Sequence, residues 1–176
     1  MRIVLSGPPG AGKGPVAKAL SAQDGAVPIS AGDLLRSAVG AGTPLGRRAE
    51  AYMSCGELVP DAIIRDLVEG SIRACAGGFI LCGFPRTIPQ AVTLELLLDG
   101  LGLSLDLVAD LPQAGRPDEA EPAVRTRMRI HRELSVPMLS HYQRKGLLFR
   151  VAETDPLAAA ALIREAVALR GRALAQ

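Results

Sequence analysis

Near its start this 176-residue chain has no uncharged apolar run longer than Ile3 to Leu5, far too short for a signal peptide or a membrane span. Cysteine is equally sparse: Cys55, Cys75 and Cys82 are odd in number and show no Cys-x-x-Cys spacing. That excludes a disulfide framework and a zinc site and fits reduced thiols in an intracellular protein. No charge of one sign dominates, with 20 Lys and Arg against 18 Asp and Glu. The scattered arginines form no basic stripe, so nucleic acid is not an expected partner. His131 and His141 stand ten apart without carboxylate or cysteine clusters, which reads as surface or helix-packing histidines rather than metal ligands. Internal repeats are lacking, and only the alanine-rich C-terminal stretch is biased, in the manner of a terminal helix. These absences point to one cytoplasmic domain without membrane contact.

What is present suffices for a full core: hydrophobic residues make up 48% of a chain of ordinary single-domain length. Apolar runs at 1–6, 26–30, 78–83, 105–111 and 147–153 read as strands. Helical spacing between them predicts helices over 13–23, 32–40, 45–54, 61–75, 88–99, 119–144 with a break near Pro137, and 156–170. Alternation of this kind predicts an α/β fold, a five-stranded parallel sheet with helices on both faces in three layers. The stretch "LPQAGRPDEAEP" is rich in proline, glycine and charge and reads as a surface loop.

The motif with chemistry is "GPPGAGKGP", residues 7 to 15, which follows the first strand and opens the first helix. Its G-x-x-x-x-G-K spacing in that context is a phosphate-binding loop of the P-loop NTPase type. Gly7, Gly10 and Gly12 let the backbone, Ala11 included, fold around a phosphate chain. Lys13 adds a point charge and the helix N-terminus its dipole. Gly14 stands where such loops usually carry the magnesium-binding Ser or Thr.

This form resembles the nucleoside monophosphate kinases, and four further segments extend the likeness over almost the whole chain: "SAGDLLR" (30–36), "GELVPD" (56–61), "GFILCGFPRTIPQA" (78–91) and "GRPDEAEPAVRTR" (115–127). In order and interval they are similar to those of bacterial adenylate kinases. The resemblance implies reversible phosphoryl transfer from ATP, held with Mg2+ mainly through phosphates and water, to AMP, giving two ADP, in a cytoplasmic monomer. It implies one domain: a core of 1–29, 61–111 and 118–176, an AMP-binding insertion over 30–60 and a residual lid near 112–117. By similarity the loop Gly7, Gly10, Ala11, Gly12, Lys13, Gly14 and Pro15 holds the donor's phosphates, and Arg36 and Arg86 hold the acceptor's phosphate. Arg116 and Arg127 then face the charge developing between them, while Ala31, Glu57, Leu58, Val59, Gly83 and Gln90 complete the AMP site. Arg125 and Arg129 share a helix with Arg127, and only the family pattern selects Arg127. Gln90 matches the glutamine that reads adenine, since an amide offers both donor and acceptor. Ala31 stands where adenylate kinases carry threonine and is typical of UMP/CMP kinases, which keeps that acceptor class as an alternative.

Three positions depart from the pattern. Pro15 replaces a threonine, removing a hydroxyl and a backbone N–H; Cys82 replaces the aspartate that orients magnesium; and "LPQA" stands where the family has a longer lid. All three weaken the donor half, whereas the acceptor half is nearly complete. Two readings stay open: an adenylate kinase of reduced activity, and a catalytically compromised paralogue that binds adenine nucleotides.

Overall fold

The computed structural model describes residues 1–75, 77–114 and 121–174. In chain order these form β1 (Arg2–Ser6), α1 (Lys13–Asp24), β2 (Val27–Ser30), α2 (Ala31–Gly40), α3 (Pro44–Ser54), α4 (Asp61–Ala74), β3 (Phe79–Cys82) and α5 (Ile88–Gly100). Then come β4 (Leu107–Asp110), α6 (Pro122–Ile130), a π turn (His131–Ser135), α7 (Val136–Arg144), β5 (Leu148–Arg150) and α8 (Pro156–Leu174). The strands make one parallel sheet in the order β2-β3-β1-β4-β5.

Strand alternation explains the three layers, because successive side chains leave a strand on opposite faces. Val4, Phe79, Leu81 and Val108 point into a core shared with α4, α5 and α7. Ile3, Leu5, Ile80 and Ala109 point the other way, onto Val16 and Leu20 of α1 and Ile163 of α8. Helix starts follow local chemistry: the Ser30, Thr43 and Thr87 hydroxyls accept from the N–H groups of Asp33, Gly46 and Gln90, with Pro44 and Pro89 in their first turns. The 30–60 insertion is the α2–α3 pair, packed so closely that a Cβ on Gly46 would lie 2.0 Å from the Ala38 carbonyl oxygen.

The expected break near Pro137 does not occur. The helix runs on from α6 into α7 through the π turn, where the Val136 N–H reaches back to the His131 carbonyl. Proline offers no N–H, and its ring crowds the carbonyl four residues earlier. Widening the turn ahead of it removes that crowding without ending the helix.

Parallel register brings the carboxyl ends of three strands level. Ser6 of β1 lies opposite Asp110 of β4, and Leu5 lies opposite Cys82 of β3. In open α/β sheets this edge is where ligands bind.

Candidate active site

β1 ends into the glycine loop. Gly7 adopts φ 137°, and a Cβ there would come within 2.8 Å of the Leu111 carbonyl oxygen, so only glycine fits against β4's exit. Gly12, at φ 75°, is the left-handed N-cap of α1. Lys13 folds back across the loop, its Nζ donating to the carbonyls of Gly7 at 2.7 Å and Pro8 at 2.8 Å. Burial pulls its pKa down to about 8, and the Arg86 guanidinium pushes the same way; Cys82 and Asp110 oppose. Pro15 sits exposed in the first turn of α1, ahead of the first i to i−4 bond, from the Val16 N–H to the Gly12 carbonyl at 3.1 Å. Its missing N–H would have had no intrahelical partner, so the fold accepts proline there.

Cys82 ends β3, buried in the core beneath the loop, and burial pushes its thiol up to about 12 against the field of Lys13. It is a neutral group in neutral solution. Asp110 ends β4 on the other flank of β1; burial raises its carboxyl, and Arg150 and then Lys13 counter that. Beyond β4, Gln113 donates from Nε2 to the Pro9 carbonyl at 3.1 Å, while its Oε1 is buried without a hydrogen-bond partner among the described residues. The short β4 exit is thus strapped onto the phosphate loop, a contact the sequence reading missed.

A cleft of about 460 Å³ separates this loop from the α2–α3 pair and the π turn. Gly7, Gly10 and Lys13 form one wall, and Ala31, Arg36, Glu57, Leu58, Val59, Gly83, Arg86, Gln90 and Arg127 contribute to the others. Four expected residues do not line it: Ala11 is buried in the core, Gly12 caps the helix, and Gly14 and Pro15 are exposed on α1. Arg116 lies outside the described residues, as do positions 115–117 of the expected lid.

Arg86 is the most constrained member. Its Nε donates to the Gly83 carbonyl at 2.9 Å, its backbone N–H to Gln90 Oε1 at 2.8 Å, and its carbonyl accepts from the Ser135 hydroxyl at 3.2 Å. Burial lowers its pKa, and Arg127 adds like-charge repulsion. The buried Gln90 also donates from Nε2 to Asp61 Oδ1 at 2.6 Å, so its amide braces Arg86 and α4 together. Arg36 is exposed and paired with Asp33. Of the neighbours on α6, Arg129 is engaged by Glu57 at 3.0 Å and Glu133 at 3.1 Å, and Arg127 is the one that lines the cleft.

His131 also lines the cleft, half-buried at the start of the π turn. That corrects the reading of it as a plain surface or packing histidine. Its pKa is lowered by burial first and then by Lys13, Arg86 and Arg132.

A glycine loop with a half-buried lysine at the carboxyl edge of a parallel sheet, facing guanidinium groups across a cleft, defines a phosphate-loop nucleotide-binding protein. Comparison with known proteins narrows the class. The family model described as Adenylate kinase matches residues 5–147. An adenylate kinase of a Synechococcus species is 41% identical over 91% of this chain and 94% of its own length. That of Parasynechococcus marenigrum is 46% identical over 85% and 88%, and that of Thermobifida fusca 40% identical over 89% and 92%. The chain belongs to the adenylate kinase family, and with it to the nucleoside monophosphate kinases.

Proposed function

We propose that this chain transfers a phosphoryl group reversibly from ATP to AMP, giving two ADP, at a rate held down by its donor half. The observation that carries the reading is the single cleft in which Lys13 meets Arg86 and Arg127. In the transfer an oxygen of the AMP phosphate bonds to the γ-phosphorus of ATP, and the bond from that phosphorus to the βγ-bridging oxygen breaks. The reaction asks little covalent chemistry of the protein; alignment, water exclusion and positive charge do the work.

Lys13 holds the donor's phosphates, Arg86 and Arg36 the acceptor's phosphate, and Arg127, with Arg116, faces the charge between them. Ala31, Glu57, Leu58, Val59 and Gly83 wall the acceptor side. Gln90 contributes first as the brace behind Arg86, which leaves one lone pair of its amide oxygen and one N–H for an adenine edge. Closure of the α2–α3 pair over the acceptor completes the site.

Bound with ATP, magnesium neutralises phosphate charge. The donor set of β3 does not fit it, because a buried neutral thiol is a poor partner for a hard cation that prefers oxygen. The ion would therefore be held mainly through the nucleotide's phosphates and water. A second reading, a nucleotide-binding paralogue with little turnover, is favoured by Pro15, Cys82 and the short β4–α6 connection together. The working form is a cytoplasmic monomer. Coupled measurement of ADP formation, beside calorimetric binding of AMP and ATP alone, separates the readings: AMP binding without turnover would favour the second.

A further inference from the structure

The stripe formed by Arg127, His131 and Ser135 runs along one side of the cleft. Arg127 and His131 are four apart, hence neighbours on the α6 surface. The wide turn that follows keeps Ser135 on the same side, where its hydroxyl holds the Arg86 carbonyl at 3.2 Å. His131 is therefore set by the same turn that anchors Arg86, not placed on an independent loop. Arg127 and Ser135 already have parts in the account of the cleft; His131 has none.

We propose that His131 is a further phosphate-binding residue of this cleft, donating an imidazole N–H to the phosphoryl group held between Lys13 and Arg86. The inference rests on the nucleotide reading above. The charged groups sharing the cleft decide the ligand's chemistry. Lys13 comes from α1, Arg86 from the turn after β3, Arg127 from the helix of His131 itself, and Arg36 and Glu57 from the α2–α3 side; Arg132, next to His131 but outside the cleft lining, adds its charge. Glu57 is engaged by Arg129 and Arg36 by Asp33, so neither carboxylate is left to attract a proton to the imidazole. Burial first, and then the cations around it, hold the His131 pKa down and favour the neutral imidazole. A ligand carrying two or more negative charges reverses that field, and the imidazole then takes a proton and becomes a second cationic donor. A singly charged or neutral ligand would not. The class selected is a nucleoside phosphate with its phosphate at the transfer point, where His131 adds positive charge.

Two histidines make the test direct. The imidazole carbon-bound protons of His131 and His141 are followed by NMR from pH 5 to 8.5 in the free protein and with saturating ADP, saturation being set by calorimetry. His141, held by Glu95 at 3.0 Å away from the cleft, is the internal control. The expected result is a rise of the His131 midpoint by about one pH unit on ADP binding, with His141 unmoved. In parallel, the ratio of ADP affinities of wild type to His131→Gln should grow about fivefold from pH 7.5 to pH 5.5, approaching the roughly tenfold limit of such a rise only at lower pH. The titration of Lys13 and the ionisation of ADP are common to both proteins and cancel in the ratio. ADP that binds without moving the His131 midpoint, or a ratio constant with pH, overturns the inference alone. Absence of ADP binding at every pH overturns the nucleotide reading and this inference with it.

Discussion

Gln90 holds Arg86 by the main chain: the Arg86 N–H donates to Gln90 Oε1 at 2.8 Å, while the same amide reaches Asp61 at 2.6 Å. A side chain expected only to read a base is thus also a structural brace between the β3 exit, α5 and α4. Replacing Gln90 by Leu leaves the Arg86 N–H unpaired in a half-buried place, which costs about 1 kcal/mol. Urea unfolding of the variant should show that loss, and the KM for AMP should rise with it. Unchanged stability would mean the brace is not made in solution.

Arg86 is half-buried, and its Nε is fixed on the Gly83 carbonyl at 2.9 Å. Lysine cannot reproduce the planar fork that lets guanidinium hold its own loop and a phosphate together. Arg86→Lys is expected to fold normally and to lose on the order of 100- to 1,000-fold in kcat. Steady-state rates at saturating AMP check this.

Lys13 carries a pH signature. Burial lowers its pKa to about 8 in the folded chain, against the ordinary 10.5 when unfolded. Between those values the unfolded chain binds more protons, so this lysine makes stability rise with pH across that window. Phosphate binding restores the charged form. Nucleotide binding at about pH 8.5 should therefore take up a proton, seen as a dependence of calorimetric heat on buffer ionisation enthalpy. No uptake would place Lys13 away from the phosphates.

Cys82 should be chemically silent. With its thiol raised to about 12 by burial, almost no thiolate exists at pH 8, whereas Cys55 is exposed. Iodoacetamide on the native protein should label Cys55 and spare Cys82, read by peptide mass mapping. Early labelling of Cys82 would refute its buried neutral state.

Most of the fold could be read from sequence because its signals are local: strand runs, hydroxyl caps and the loop spacing each depend on a few adjacent residues. Lys13, Arg86 and the order of layers follow from such patterns. Arg127 did not, since spacing left three arginines equivalent on one helix, and the structure separates them by the carboxylates that occupy Arg129. The π turn is not legible as such because proline's effect depends on whether the preceding turn can widen, and the partner of Ser135 in that turn, the Arg86 carbonyl, is 49 residues away in sequence. His131 reads in sequence as a surface or packing residue, and Asp110 and Gln113 carry no signal at all, because their significance arises only when β4 and the π turn come level with the loop. The departures at Pro15 and Cys82 were visible in sequence, while the reason the fold accepts them lies in helix register and core burial.

In the proposed function the acceptor half is assembled and the donor half is weakened. Its most direct test is the rate of ADP formation from AMP and Mg·ATP, measured for the wild type and for the double variant Pro15→Thr, Cys82→Asp. The account predicts wild-type turnover at or below the lower end of the enzymatic range of about 1–1,000 per second. It also predicts an increase of about 100-fold or more in the double variant as the missing donor and carboxylate return. Brisk wild-type turnover that the two substitutions leave unchanged would contradict it.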